Sequence, residues 1–229
     1  MLTVLEGARI AQKVYRPSTD GNPAITGWRC PANLAVNDTS VFQGGSLTSS
    51  GLQGRVFIKR DGSAVVFAFK GTVPSMMSDL TADLALSLNV LPRQSVDAAA
   101  LTRKWLQAVE KDKVIIVGHS LGGGIAQVVG DAFQLPFVTY NAPGMLEAIA
   151  GIPAFFSGSG RLVRALGGGK RDSGVNYRRS WDLVGNFGAH IGRRVEIKGG
   201  ITGPLRSHGI AEFITVLKNH PLANKNALG

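Results

Sequence analysis

The stretch Lys113–Gln127, KVIIVGHSLGGGIAQ, joins a short β-branched run to a glycine-rich turn and a helix-compatible segment. Val114 to Val117 are typical of a buried strand, and GHSLG follows directly. A serine at such a strand-to-helix turn stands exposed at the end of a sheet, beside the first N–H groups of the helix. Strand and helix approach closely at the two flanking glycines, where a side chain would clash. The stretch therefore predicts Ser120 as a nucleophile.

Strand-like and helix-like segments alternate around this turn. Asp61-Gly62 lies between two apolar runs, which is a strong hairpin signal. The alternation predicts an α/β fold with a mostly parallel sheet and helices on both faces, so that Ser120 lies at the carboxyl ends of the strands. The segments are predicted as strands at 55–60, 64–69, 114–117, 136–140, 175–180 and 193–198 and as helices at 1–15, 95–111, 121–133 and 209–219.

Length and composition limit the class of protein. The chain has 229 residues and a formal net charge of +10, with 44% apolar residues. This suits one domain over 1–229, and no apolar run approaches the roughly 20 residues of a membrane span. The N-terminus lacks the pattern of a signal peptide. Cys30 is the single cysteine, which excludes an internal disulfide and a cysteine-based metal site.

The positive charge favours anionic partners. Basic residues occur in small groups, without the interleaved aromatic residues of a surface that stacks bases. We therefore expect an acidic membrane surface rather than nucleic acid as the partner.

A serine nucleophile needs a histidine to accept its proton, and this histidine should follow the serine in the chain. Three histidines do so. His220 adjoins Pro221 near the C-terminus and is the weakest candidate. Spacing favours His208 over His190 without excluding His190.

The histidine in turn needs a carboxylate, and the reaction needs two donors for the oxyanion. Asp182 follows a strand between apolar neighbours, which suits a partly buried carboxylate. Asp172 and Glu196 are expected to face solvent. The N–H of Leu121 is the first oxyanion donor, and Thr72, after the strand AVVFAF, is placed to be the second. No cofactor or metal is needed for this chemistry.

Several motifs occur in the order found in one known family. The chain resembles the class 3 (fungal-type) lipases, which are α/β-hydrolases acting on acylglycerols and phospholipids. The likeness covers roughly residues 55–215, although Leu183-Val184-Gly185 stands where the family usually has prolines. The motifs are FAFKGT, SDLTADL, VIIVGHSLGGGIA, YNAPG, WDLV, HIGRRVEI and SHGIAEF.

The resemblance implies Ser120, Asp182 and His208 as a triad with Thr72 and Leu121 as the oxyanion hole. It also implies a lid at 73–88, and a glycine-rich insertion at about 145–175 is a second candidate cover. Lipases similar to this one that lack a leader include toxins delivered by type VI secretion. The protein is thus expected to be cytoplasmic or exported without a leader, and the likeness to such toxins implies an immunity or secretion-apparatus protein as a partner.

These observations predict a serine lipase or phospholipase. The alternatives are an esterase of small esters, an acyltransferase, or a hydrolase fold without activity that serves as a binding module. The complete set of serine, aspartate and histidine favours the enzyme.

Overall fold

The computed structural model describes residues 1–15, 25–31, 34, 52–71, 94–146, 173–199, 203 and 207–229. Within these residues, seven strands form one sheet, and their order in the sheet follows their order in the chain. The strands are β1 Trp28–Arg29, β2 Gln53–Lys59, β3 Val65–Lys70, β4 Val114–His119, β5 Phe137–Tyr140, β6 Gly174–Arg179 and β7 Arg193–Ile197.

The sheet has an antiparallel edge and a parallel remainder. β1 pairs antiparallel with β2, and β2 with β3, where Ile58 lies opposite Val65. The hairpin predicted at Asp61-Gly62 is confirmed, and Gly62 adopts a φ of 71°, which the turn requires of it. From β3 to β7 all pairings are parallel.

Helices cover both faces of the sheet, as the sequence predicts. The longer α-helices among the described residues are α1 Val4–Lys13, α2 in residues 94–105, α3 Leu121–Phe133 and α4 Ile210–Lys218, and a short 3-10 helix, Lys111–Lys113, precedes β4. Side chains of α2 and α3 share one apolar core with the sheet, and side chains of α1 and α4 share the other. Thr3 and Glu6 form a capping box that starts α1.

Aromatic packing fixes α2 on its face. The Trp105 ring lies 4.9 Å from the ring of Phe67 and 5.7 Å from that of Phe69, measured between centroids. Such pairs contribute about 0.5–1.5 kcal/mol each beyond the burial of their area.

Parallel pairing brings three strand ends to one edge of the sheet. His119 lies beside Tyr140, and Tyr140 beside Tyr177, so β4 and β5 end together and β6 continues two residues further, to Arg179. Ser120, Asn141 and Asp182 follow these ends in the chain. The sheet thereby gathers residues that are far apart in sequence.

Three predicted features lie outside the described residues: Thr72, the candidate lid at 73–88, and all but the ends of the insertion at about 145–175. In the described parts, no helix has the length and apolar character needed to cross a membrane.

Candidate active site

Ser120 sits at a strained turn between β4 and α3. Its backbone has a φ of 55° and a ψ of −132°. A residue other than glycine in such a conformation costs about 1–3 kcal/mol, which the surrounding contacts must offset. The N–H of Ser120 donates to the Tyr140 carbonyl at 3.1 Å, and its own carbonyl accepts from the Gly123 N–H at 2.9 Å. The serine is thus held between the end of β5 and the first turn of α3.

The glycines around Ser120 are explained by backbone contacts. A Cβ on Gly118 would overlap the Gly122 carbonyl, and a Cβ on Gly122 would overlap the Phe69 carbonyl and lie 2.7 Å from the Gly71 nitrogen. The close approach of strand and helix that the sequence predicts is therefore present. It also places Gly71, at the end of β3, against the first turn of α3.

Ser120, His208 and Asp182 form one line of hydrogen bonds. Nε2 of His208 lies 2.9 Å from Oγ of Ser120, and Nδ1 lies 2.9 Å from Oδ1 of Asp182. Asp182 is 0% exposed, and the other two side chains are buried. Because a carboxylate only accepts hydrogen bonds, Nδ1 carries the proton that it donates to Asp182. Nε2 of the neutral ring is then free to accept the serine proton.

The turn after Asp182 satisfies its buried carboxylate. Oδ2 accepts from the Gly185 N–H at 2.9 Å, and Oδ1 accepts from the Val184 N–H at 3.3 Å. These bonds satisfy the oxygens of a carboxylate that is 0% exposed. The turn therefore fixes the orientation of the Asp182 carboxylate independently of its hydrogen bond to His208.

Asn141, after β5, joins the histidine segment to β6. Its Nδ2 donates to the carbonyls of Ser207 at 2.7 Å and His208 at 3.1 Å, and its Oδ1 accepts from the Arg179 N–H at 2.9 Å. All of these atoms are buried, so the bonds are not exchanged with water. One amide thus holds His208 and the strand that precedes Asp182 in a fixed relation. The sequence did not predict this role.

His119, the residue before Ser120, is a second buried polar residue of the site that the sequence did not predict. Its Nε2 donates to the His208 carbonyl at 2.8 Å, and its Nδ1 lies 3.1 Å from the Tyr15 hydroxyl at the end of α1. A carbonyl can only accept, so Nε2 carries the proton and Nδ1 is an acceptor. The Tyr15 hydroxyl is within donating distance of Nδ1 at 3.1 Å and of the His119 carbonyl at 3.3 Å. Burial, together with the nearby His208 ring, lowers the pKa of His119 to about 3. His119 is therefore neutral at physiological pH.

Tyr15 connects this arrangement to the end of β3. Burial raises the pKa of the Tyr15 hydroxyl well above its ordinary value, and the nearby Gly71 backbone acts in the opposite direction. The phenol therefore keeps its proton and can donate to His119. Gly71 immediately precedes Thr72, so the network extends from the histidine that would be the base to the segment predicted to supply an oxyanion donor.

The predicted oxyanion donor on α3 is in a suitable position. The N–H of Leu121 is the first of α3, and no carbonyl of the helix lies one turn before it to accept from it. Together with the positive end of the helix dipole, this N–H suits developing negative charge beside Ser120.

The rejected candidates lie in other environments. A ring nitrogen of His190 donates to the Ala142 carbonyl at 2.8 Å, and burial lowers the pKa of this histidine. His220 accepts from the Leu222 N–H at 3.2 Å. Glu196 is exposed and accepts from Ser180, whereas Asp172 lies outside the described residues.

Among the described residues, no three or more side chains of histidine, cysteine, aspartate and glutamate are grouped to hold a metal ion.

A match to a family model shows the family of this chain. A family model described as "Tle-like phospholipase domain" matches residues 6–215. The chain belongs to this phospholipase-like family. The Tle-like phospholipase match spans the nucleophile turn and the segments that carry Asp182 and His208.

A curated relative also carries a lipase name. The Kluyveromyces lactis protein "Putative lipase ATG15" is 29% identical over 162 residues, which cover 48% of this chain. The chain spans 30% of that relative's length. The resemblance to lipases inferred from the motifs is confirmed.

Solved structures show the same fold. Lip2 lipase from Yarrowia lipolytica aligns with a TM-score of 0.50 at 16% identity, covering 89% of this chain and 80% of Lip2. A structure of a fungal lipase family with a buried polar cluster aligns with a TM-score of 0.54 at 13% identity, covering 89% and 83%. The Tle-like chain therefore has the α/β-hydrolase fold that the sequence predicts.

Proposed function

We propose that this protein is a serine hydrolase of carboxylic esters in lipids, with phospholipids as the main substrates. One observation carries the proposal: Ser120, His208 and Asp182 are joined by two buried hydrogen bonds of 2.9 Å each. A serine at its free pKa is a poor nucleophile, and a histidine oriented by a carboxylate removes this obstacle.

The first half-reaction acylates the serine. Nε2 of His208 accepts the Ser120 proton as Oγ attacks the ester carbonyl, and the positive imidazole is stabilised by Asp182. The oxyanion accepts from the N–H of Leu121 and from Thr72 in the proposed oxyanion hole. Nε2 then returns the proton to the leaving alcohol oxygen, the bond between this oxygen and the carbonyl carbon breaks, and an acyl-serine remains.

The second half-reaction uses water in place of the serine. His208 accepts a proton from the attacking water, the oxyanion forms again in the same place, and the proton returns to Oγ of Ser120 as the fatty acid leaves. Over the full cycle the enzyme neither gains nor loses a proton, and residues of this chain carry out each proton transfer.

Two observations favour a phospholipid over a neutral ester. The family model that matches is that of a phospholipase domain. The chain has a formal net charge of +10, which raises its local concentration at membranes containing anionic lipid.

The decisive experiment measures hydrolysis of short-chain esters, triglycerides and phospholipid vesicles by the wild type and by Ser120→Ala. We expect the wild type to release fatty acid from phospholipid and the variant to lose activity by three or more orders of magnitude. Ser180→Ala is the matched control, since it removes an exposed hydroxyl near the acid. Activity that survives Ser120→Ala refutes the mechanism.

Covalent labelling tests the acyl-enzyme step directly. An activated phosphonate ester should modify Ser120 and no serine of the Ser120→Ala variant, as read by peptide mass spectrometry. Because the attack needs the base, the wild type should react much faster than His208→Asn.

The same activity suggests a role as an antibacterial effector. A phospholipase delivered to a bacterial periplasm would damage the membrane there. Export of the wild type to the periplasm of a test strain should arrest growth, whereas Ser120→Ala should not; equal growth of both strains would argue against this role.

A further inference from the structure

The turn of residues 181–187, which contains Asp182, presents three large apolar side chains to solvent. Trp181 is 62% exposed, and Leu183 and Phe187 are each 48% exposed. In the part of the chain that the structure describes, Met1 is the one other large hydrophobic residue with such exposure. Single exposed apolar residues are ordinary, but three within seven residues mark an interaction surface.

Buried groups hold this turn in shape. Asp182 and Val184 point into the protein and alternate with Trp181 and Leu183, which point out. The N–H of Phe187 donates to the Val184 carbonyl at 3.1 Å, and the Phe187 carbonyl accepts from the Gly144 N–H at 2.7 Å. The apolar surface is therefore ordered in advance, which lowers the entropy cost of binding.

Asn186 adds further restraint to the same turn. Its backbone N–H donates to the Asp182 carbonyl at 3.1 Å, and its side-chain Nδ2 donates to the Ser180 carbonyl at 3.0 Å. A flexible loop could hide its apolar side chains by folding back. This turn is held by its own hydrogen bonds, so its apolar side chains stay exposed to solvent.

The position and chemistry of the turn indicate its partner. Asp182 is joined to Ser120 through a single histidine, so the apolar surface adjoins the catalytic residues. Tryptophan prefers the boundary between lipid and water, where its ring is apolar and its N–H reaches water. The net charge of +10 complements an anionic surface.

We infer that residues 181–187 dock the protein on an anionic lipid bilayer, with Trp181, Leu183 and Phe187 inserted at the level of the head groups. The inference rests on the proposed function, since a lipid-ester hydrolase must bring its nucleophile to the bilayer. Docking at the turn of the acid brings Ser120 close to the lipid surface and leaves the bonds of Asp182 unchanged.

Tryptophan fluorescence tests the docking directly. The chain has three tryptophans. Trp28 and Trp105 are each 2% exposed, so a change in emission on binding reports on Trp181. The Ser120→Ala variant, which leaves the vesicles intact, is mixed with vesicles of equal parts phosphatidylglycerol and phosphatidylcholine. We expect a blue shift and quenching by lipids brominated near the head group, and neither effect in Trp181→Phe.

Sedimentation with the same vesicles measures the affinity. The triple variant Trp181→Ser, Leu183→Ser, Phe187→Ser should partition at least about tenfold less than the parent. The conservative pair Trp181→Phe, Leu183→Met is the matched control and should bind within about twofold of the parent. Binding to pure phosphatidylcholine should be weaker than to the anionic vesicles.

Three results would overturn the inference: unchanged Trp181 emission in protein bound to vesicles, wild-type partitioning of the triple variant, or a dimer in solution that the triple variant abolishes. The last result would assign the surface to contact between two copies of the chain.

Hydrolysis of a water-soluble short-chain ester separates the two proposals. The triple variant should keep this activity within about twofold, because monomeric substrate needs no docking. If the wild type binds vesicles but hydrolyses no ester, the proposed function is wrong and the docking surface stands. If it hydrolyses esters but does not dock through residues 181–187, the docking surface is wrong and the proposed function stands.

Discussion

The Tyr15 hydroxyl, on the segment that follows α1, lies 3.1 Å from Nδ1 of His119, the residue before the proposed nucleophile Ser120. His119 also donates to the His208 carbonyl at 2.8 Å. Tyr15 is therefore linked through His119 to the backbone of the candidate base. Tyr15→Phe leaves Nδ1 buried without its donor, which costs about 1–3 kcal/mol of stability. We expect kcat to fall about tenfold, equivalent to about 1.4 kcal/mol on the barrier, with KM little changed.

Tyr177→Phe is the matched control for this prediction. The Tyr177 hydroxyl is also buried, and it donates to the Ala227 carbonyl at 3.0 Å, away from the candidate site. Urea unfolding should show a similar loss of stability in both variants, whereas only Tyr15→Phe should lower kcat. Equal kcat in the two variants would show that Tyr15 does not help to position the candidate base.

The low pKa of His119 predicts a pH dependence of stability. Burial lowers the pKa from 6.5 to about 3, so between these values the unfolded chain binds a proton that the folded protein does not. Stability from this group is complete above pH 6.5 and decreases as the pH falls toward 3, by up to about 1.4 kcal/mol per pH unit.

His119→Gln tests this sign, because glutamine offers a donor and an acceptor without titrating. The free energy of unfolding, measured in urea at several values between pH 7 and pH 4.5, should decrease less steeply on acidification in the variant than in the wild type. Parallel curves for the two proteins would show that His119 titrates alike in the folded and the unfolded chain.

The nucleophile turn could be predicted because its signals are local. A β-branched strand, two glycines at fixed spacing and a helix all lie within fifteen residues of the chain, and the structure explains Gly118 and Gly122 by backbone contact. The parallel sheet and its two helical faces follow similarly from alternating segments. Local patterns therefore predicted the fold and placed the serine at the sheet edge.

The choice of base depends on contacts between distant residues. His190 and His208 both follow the strand of the acid, and spacing alone left both open. Asn141 holds the His208 segment, whereas His190 turns its ring to the Ala142 carbonyl. The contact between Tyr15 and His119 spans 104 residues, and no local pattern could signal it. The position of His119 beside the nucleophile was the one available sign.

Asp182→Asn tests the candidate acid with little change of shape. The two carboxylate oxygens of Asp182 accept from the Gly185 N–H and from His208 Nδ1. Asparagine has one oxygen and one NH2 group, so its NH2 group would face one of these two donors. The ring is then held in the wrong tautomer, and kcat should fall by about four orders of magnitude. Steady-state kinetics on a soluble ester give kcat and KM, and KM should stay near the wild-type value.

Glu196→Gln is the matched control for Asp182→Asn. Glu196 is an exposed carboxylate that accepts from Ser180 and pairs with Arg178 at 3.7 Å. Its loss should leave kcat within about twofold and change stability by less than about 1 kcal/mol, as for other exposed ion pairs. A loss of activity as large as that of Asp182→Asn would mean that charge near the site, rather than the bond to His208, matters.

Gly185 is predicted to set the position of the acid. A Cβ at this residue would lie 2.7 Å from Oδ2 of Asp182 and 3.2 Å from the Cα of Asn141. Gly185→Ala therefore forces the carboxylate away from its backbone donor. We expect kcat to fall about ten- to a hundredfold, as small displacements of catalytic groups do, with a stability loss of about 1–3 kcal/mol from overpacking.

Gly62→Ala separates the two effects of Gly185→Ala. Gly62 has a φ of 71° and open space around it, so alanine there costs about 1–2 kcal/mol through backbone strain alone. Both variants should melt at lower temperature than the wild type, and only Gly185→Ala should lose activity when assayed well below melting. Wild-type kcat in Gly185→Ala would show that the turn shifts as a whole and keeps Asp182 on His208.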